Sequence, residues 1–233
     1  MILTRIQETV EEHLSPDQAG FRPGRSCCSQ VLNLTQYIED GYEAKKITGT
    51  VFVDLTAAYD TVNHRALLLK VAQIVQNSTL VRIIESLLIN RRFYVEMEGK
   101  KSRWHAQKNG LPQGSVLAPV LFNIYTNDQP QYPNIQRYIY ADDLCIATQS
   151  NSFNEIEERL SAALDTLSEY YKKWHLNANP SKTQVCAFHL NNHQARRKLQ
   201  VRWGNVELEH HAHPVYLGVT LDRTLSFKDH ISG

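Results

Sequence analysis

The chain has 233 residues, 42% of them hydrophobic and 21% charged, with a formal net charge of +1. That composition supports a packed core and excludes a disordered chain, and so small a net charge means that any nucleic-acid partner must be held by local charge. The N-terminus MILTRIQETVEEHL has no apolar signal-peptide core, and no apolar run reaches the ~20 residues that cross a bilayer.

Taken in chain order, Ile2, Ile6, Val10 and Leu14 recur at helical spacing. SPDQAGFRPGRS (15–26) has two Pro and two Gly and predicts a loop, with Ser26 placed to cap a helix carrying Val31, Leu34, Ile38 and Tyr42. TVFVDL (50–55) is a short β-branched apolar run, the pattern of a buried strand, with Asp54 near its end. Helices are expected over 63–76 and 80–90, then a hairpin of 93–99 and 102–107 around Gly99-Lys100-Lys101. An apolar helix through Leu121, Ile124 and Tyr125 follows NGLPQGSVLAP. Strands 136–140 and 144–148 flank Ala141-Asp142-Asp143. Ile156, Leu160, Leu164, Leu167 and Tyr171 define an amphipathic helix over 153–175, which Asn177–Ser181 ends with a Pro. Single strands are expected over 183–190, 201–208 and 216–221. Helices and strands mix without regular βαβ alternation, which predicts an α+β fold. The four cysteines, Cys27, Cys28, Cys145 and Cys186, form no C-x-x-C pair and read as reduced thiols.

The aspartates suggest a chemistry. Nucleotide joining is in-line phosphoryl transfer, in which the protein positions reactants and neutralises developing charge. Magnesium prefers a few carboxylates on rigid supports and keeps several waters. Asp54 at a strand end and Asp142-Asp143 in a tight hairpin would supply such carboxylates. A bare Asp pair in a turn usually means only a solvated turn.

The order of motifs adds to this. TVFVDLTAAYD (50–60) resembles polymerase motif A, NGLPQGSVLAPVLFNIYTND (109–128) motif B, and YADD (140–143) the Y-x-D-D box of motif C. NPSKTQV (179–185) resembles motif D, VYLGVTLD (215–222) motif E, and QAGFRPGRS (18–26) a fingers motif upstream of motif A. Together they resemble the reverse transcriptases of jockey-like non-LTR retrotransposons.

The resemblance implies a polymerase palm, an antiparallel sheet backed by helices, with partial fingers at 1–50, the palm at 51–222, and 223–233 leading to a thumb that is missing, as are an endonuclease domain and the segment that grips the incoming triphosphate. It implies RNA-directed DNA synthesis with two Mg²⁺ ions, Mn²⁺ being an alternative, held by Asp54, Asp142 and Asp143. RNA template, DNA primer and dNTPs are the implied partners, without a membrane, and the implied location is intracellular, in the nucleus. Tyr59 matches the steric gate against a ribose 2′-hydroxyl, with core packing as the competing role, and Asp60 would cap the next helix. Gln113 and Gly114 would lie beside the nascent base pair, and Gly110 and Gly114 let backbone approach nucleic acid closely. Tyr140 would brace the primer end, again with core packing as the rival. Lys182 matches the motif D lysine that protonates leaving pyrophosphate, the rival being a plain surface lysine. Arg22 and Arg25 would contact template phosphate or pair with acids of the protein.

Residues 91–108 interleave Arg91, Arg92, Lys100, Lys101, Arg103 and Lys108 with Phe93, Tyr94 and Trp104, and Arg196, Arg197, Lys198 and Arg202 form a second basic run. Either suits a nucleic-acid backbone or a solvated face. His210, His211 and His213 have no neighbouring Cys, which argues against zinc. Tyr59 and the YADD box speak against a viral RNA-directed RNA polymerase. A group II intron maturase-like enzyme and an inactive truncated remnant that at most binds RNA stay open, as does the oligomeric state.

Overall fold

The computed structural model describes residues 2–232. Among them the helices are α1 (Ile2–His13), α2 (Cys27–Glu43), α3 (Ala58–Thr61), α4 (His64–Val75), α5 (Ser78–Leu88), α6 (Ala118–Thr126), α7 (Phe153–Lys173) and α8 (Lys228–Ser232). The longer strands are β1 (Ile47–Val53), β6 (Gln136–Tyr140), β7 (Asp143–Ser150) and β8 (Gln184–Phe188). Two-residue strands fill the rest of the order: β2 (Arg92–Phe93), β3 (Glu96–Met97), β4 (Lys100–Lys101), β5 (His105–Ala106), β9 (Arg202–Trp203), β10 (Val206–Glu207), β11 (Glu209–His210), β12 (Val215–Tyr216) and β13 (Val219–Thr220). The α+β expectation holds.

The chain forms two compact units that interleave in sequence. The first takes residues 1–15, 57–128 and 174–176; the second takes 16–56, 129–173 and 177–233. α2 packs on the sheet and lies with it in the second unit.

The second unit is built on a five-stranded sheet of order β11-β8-β1-β7-β6, antiparallel except for the β11–β8 edge. β1 is buried along its whole length and lies between β7 and β8, as its β-branched run predicts. Alternation divides its side chains between two layers. Phe52, Cys145, Ala147, Cys186 and Phe188 pack with Val31, Leu34 and Ile38 of α2 and with Tyr216, Leu221 and Leu225 of the C-terminal segment. On the other face lies α7, whose Ile156, Leu160, Leu164, Leu167 and Tyr171 are buried as their spacing foretold. Ser26 caps α2 in a reciprocal pair with Ser29, each side chain meeting the other's backbone N–H.

At Gly49, β1 packs directly against α7. A Cβ there would overlap the Ile156 Cγ2 methyl and lie 3.2 Å from Leu199 Cδ1. That methyl is fixed to a branched Cβ and cannot swing aside. We expect Gly49→Ala to lower stability by about 1–3 kcal/mol, read as a shift of the urea midpoint at constant slope.

In the first unit, α1, α5 and α6 pack on α4, burying Ile6, Val10, Leu67, Val71, Ile84, Leu88, Leu121 and Phe122. Lys70 is buried here with a full set of partners. It donates to the Tyr125 carbonyl at 2.5 Å, pairs with Asp128, and lies 3.6 Å from the Trp174 ring centre. Asn63 caps α4 by accepting from the Ala66 N–H, the job expected of Asp60. The extra turn α3 carries Asp60 too far upstream to reach that helix end.

Two expected single strands are hairpins. Residues 201–208 fold back between β9 and β10, and 216–221 between β12 and β13. Gly204, Leu217 and Gly218 have positive φ, and the chain reverses at these residues. The apolar pattern alone hid both turns.

Candidate active site

The site grows from the register of β1, β7 and β6. Val53 pairs with Leu144, so the next residues along, Asp54 and Asp143, face each other across two antiparallel strands and project to one side. β6 and β7 form the tightest kind of hairpin. Tyr140 pairs with Asp143, leaving Ala141 and Asp142 as the only turn residues. Three carboxylates therefore meet at one end of the sheet, two on strand ends and one in the turn between them.

Their mutual repulsion is visible in Asp143. Burial, then the charges of Asp142 and Asp54, push its carboxyl up from the usual 3.8 to about 6. Its surface is still open, so the neighbouring negative charges are the firmer cause. A carboxylate whose folded-state pKa is raised stabilises the fold fully below about pH 4, and that contribution is lost as pH rises through about 6. We therefore expect, in chelator, that the wild-type melting temperature falls across this window. Asp143→Asn should remove that component of the fall and be the more stable protein at pH 7.

The loop after α7 is stitched to the end of β1. Thr56 N–H donates to Asn177 O at 2.8 Å, Asn179 N–H to Asp54 O at 2.9 Å, and Asp54 N–H to Thr183 Oγ1 at 3.3 Å. These bonds carry Lys182 to the acids, and with Asp54, Asp143, Gln184 and Tyr216 it lines a cleft of about 140 Å³. Lys182 is itself exposed.

The donor set suits a hard divalent cation. Oxygen carboxylates on rigid strand ends, mutually repelling and open to solvent, match what magnesium takes, with waters and substrate oxygens completing its shell. Among the described residues no three His, Cys, Asp or Glu side chains form a ready cage for an ion. The three histidines singled out above have other partners: His210 Nδ1 accepts from the Leu199 N–H, His211 pairs with Glu209 and His213 with Asp229.

The other residues expected at the site fall into both units. In the second, Tyr140 is half-buried, its ring 6.4 Å from that of Phe21. Arg22 is buried and donates to Gln18 O at 3.0 Å, and Arg25 donates to Pro16 O at 2.8 Å. In the first unit, the Tyr59 ring stacks on Phe122 at 4.6 Å and 10°. Gln113 donates to Asp60 Oδ1 at 3.2 Å, and Gly114 has φ +83° with nothing near its Cβ position. Gly110 packs so close to the Asp60 backbone that a Cβ would lie 3.0 Å from its carbonyl oxygen.

The basic aromatic segment is an exposed hairpin that turns at Glu98-Gly99, one residue earlier than expected, with Met97 paired to Lys100. Phe93, Met97 and Trp104 are exposed on it. Arg91, Arg92 and Lys108 line a groove of about 780 Å³ together with Arg65 of α4. In the second basic run, Arg197 is tied to Glu157 at 2.9 Å. No described helix is long and apolar enough to cross a membrane.

The sequence reading missed Gln18. It is buried and bonds to Ala141, 123 residues away. Its only signal was a Gln inside the fingers motif.

The family described as reverse transcriptase (RNA-dependent DNA polymerase) matches residues 1–221. Among curated relatives, the chain is 33% identical over 242 residues to the "Probable RNA-directed DNA polymerase from transposon BS" of Drosophila melanogaster. It is 32% identical over 243 residues to the RNA-directed DNA polymerase from mobile element jockey of Drosophila funebris. These alignments take 99% and 100% of this chain but 26% of each relative, so the chain spans about a quarter of their length. Among solved structures, apo telomerase from Candida tropicalis truncated from its C-terminal domain superposes with a TM-score of 0.65 at 12% identity. That match covers 97% of this chain and 44% of the telomerase, a likeness of fold.

Proposed function

The chain belongs to the reverse transcriptase (RNA-dependent DNA polymerase) family, and from that premise we propose that it extends a DNA primer on an RNA template with dNTPs, as the polymerase part of a jockey-like non-LTR retrotransposon. The observation that carries the reading is the meeting of Asp54 and Asp143 across β1 and β7, with Asp142 in the adjoining turn. Under this reading the sheet unit supplies the palm and its acids.

Asp54 and Asp142 would hold two Mg²⁺ ions, or Mn²⁺ in their place, with Asp143 supporting the site. Bound there, such ions lower the charge on the attacking and leaving oxygens. The strand ends and the two-residue turn keep the acids aimed before substrate arrives, so little reorganisation is needed at the moment of reaction. Lys182 lines the same cleft as Asp54 and Asp143, which supports for it the role of giving a proton to the departing pyrophosphate. Tyr59 selects deoxynucleotides by clashing with a 2′-hydroxyl. Gln113 and Gly114 lie along the nascent base pair, and Tyr140 steadies the primer end. Arg25, exposed on its loop, reaches template phosphate, whereas Arg22 shapes that loop from within. A nuclear location follows, since such an element inserts into chromosomal DNA.

The test is primer extension on an RNA template with Mg²⁺. We expect DNA synthesis with dNTPs. Preference for rNTPs would overturn the reading in favour of an RNA polymerase. Salt-sensitive RNA binding without synthesis would reduce the chain to a binding remnant.

A further inference from the structure

Gln18 lies among the least exposed polar residues of the sheet unit, at 4%, and its amide oxygen and nitrogen both bond to one residue of the acidic turn, the oxygen also to the loop beside it. Its Oε1 accepts from the Ala141 N–H at 2.8 Å and from the Gly20 N–H at 2.8 Å. Its Nε2 donates to the Ala141 carbonyl at 3.2 Å. One side chain thus satisfies both peptide groups of Ala141, as a neighbouring strand would. A carboxylate could not, having no donor, and neither could an aliphatic chain.

Ala141 needs holding. It is the first of the two turn residues and has φ +57°. Glycine adopts a positive φ freely, whereas for alanine it is strained. The surrounding contacts make up for this. Residues 17–19 run beside β6 as an added parallel edge: Gln18 bridges Ile139, Ala19 N–H donates to Ile139 O at 2.8 Å, and Ile139 N–H donates to Asp17 O at 3.1 Å. Arg137 of β6 pins the same segment by donating from Nε to Asp17 Oδ2 at 2.9 Å. Buried Gln30 adds a donor to Asp17 O at 3.1 Å. Gly20 closes the other side. A Cβ on it would overlap the Ala141 amide nitrogen and lie 2.9 Å from its Cα, both backbone atoms that cannot step away.

We propose that Gln18 is a positioning residue of the polymerase, which, with Gly20 packed against the same peptide, locks Ala141 in its left-handed conformation and so sets the aim of the Asp142 and Asp143 carboxylates. Gln18 touches no reacting group and acts through the Ala141 backbone. Its catalytic consequence rests on the polymerase reading above; the brace itself does not.

The experiment compares wild type, Gln18→Met and the double variant Gln18→Met/Ala141→Gly. It reads kcat and KM for dNTP in primer extension, and amide hydrogen exchange by NMR. Methionine keeps the volume and loses the amide. We expect Gln18→Met to lower kcat about tenfold, about 1.4 kcal/mol, with KM for dNTP within about twofold. Exchange at the Ala141 and Gly20 amides should quicken about tenfold or more while Val51 and Ile146 in the sheet core stay protected. Adding Ala141→Gly should restore most of kcat, because glycine takes the turn conformation without a brace. Wild-type kcat and wild-type exchange at Ala141 in Gln18→Met would overturn the proposal. So would a loss that glycine does not restore, with protection falling across the whole sheet, since that marks a merely structural role. Should Gln18→Met not fold, Gln18→Glu decides: it keeps the acceptor for both N–H groups, and wild-type kcat there would likewise overturn the proposal. If wild type itself extends no primer, the polymerase reading fails, and amide exchange at Ala141 still decides the brace.

Discussion

Asp142→Asn is expected to lower the rate of nucleotide addition by about a thousandfold, roughly 4 kcal/mol of transition-state stabilisation, and to leave the fold intact. Asparagine matches aspartate in shape and is at home in a tight turn, so the two-residue turn between β6 and β7 should form as before and the sheet behind it should be undisturbed. What is lost is one full negative charge at the point where the cations would bind. Phosphoryl transfer leaves the protein little to do beyond positioning and charge neutralisation, and a neutral amide oxygen is a much weaker ligand for a hard cation. Asp54→Asn should behave alike, since its backbone is fixed independently by Asn179 and Thr183. Asp143→Asn should cost less, because on the proposed reading Asp143 supports the site more than it bridges both ions, and it should gain stability at neutral pH for the reason given above. Single-turnover primer extension, with melting curves on the same samples, separates loss of chemistry from loss of fold. An Asp142→Asn protein that extends primers as well as its parent would remove the mechanism.

Tyr59→Ala is expected to reduce the preference for dNTP over rNTP by about 100-fold, equivalent to roughly 2.7 kcal/mol. Discrimination by clash needs a group that cannot retreat. The Tyr59 ring is stacked flat on Phe122, a residue of α6 with no exposed surface. That contact fixes the ring plane while leaving the residue only half-buried. Alanine would remove the obstacle, and Tyr59→Phe, which keeps ring and stacking, should retain most of the discrimination. The measurement is the ratio of kcat/KM values for a dNTP and the matching rNTP. If Tyr59→Ala lowers the melting temperature and leaves the ratio unchanged, the ring is packing and not a gate.

Much of this was present in the amino-acid sequence. The apolar face of α7, the uninterrupted run of β1, the Ser26 cap and the hairpin around Ala141-Asp142 are local patterns, set by periodicity, branching and turn chemistry within a few residues. The motif order around Asp54, Asp142 and Lys182 is likewise a property of the string. Local patterns also misled. The runs at 201–208 and 216–221 read as single strands, and the reversals near Gly204 and Gly218 appear only once both halves find their partners. Tertiary structure alone decided the partnership of Asp54 with Asp143, because the register of β1 on β7 depends on packing along both strands. It alone turned Gln18 into a brace for a peptide 123 residues away, and drew Arg22 inward to the Gln18 carbonyl. A buried polar group must find a partner wherever the folded chain brings one, and no spacing in the sequence encodes that distance.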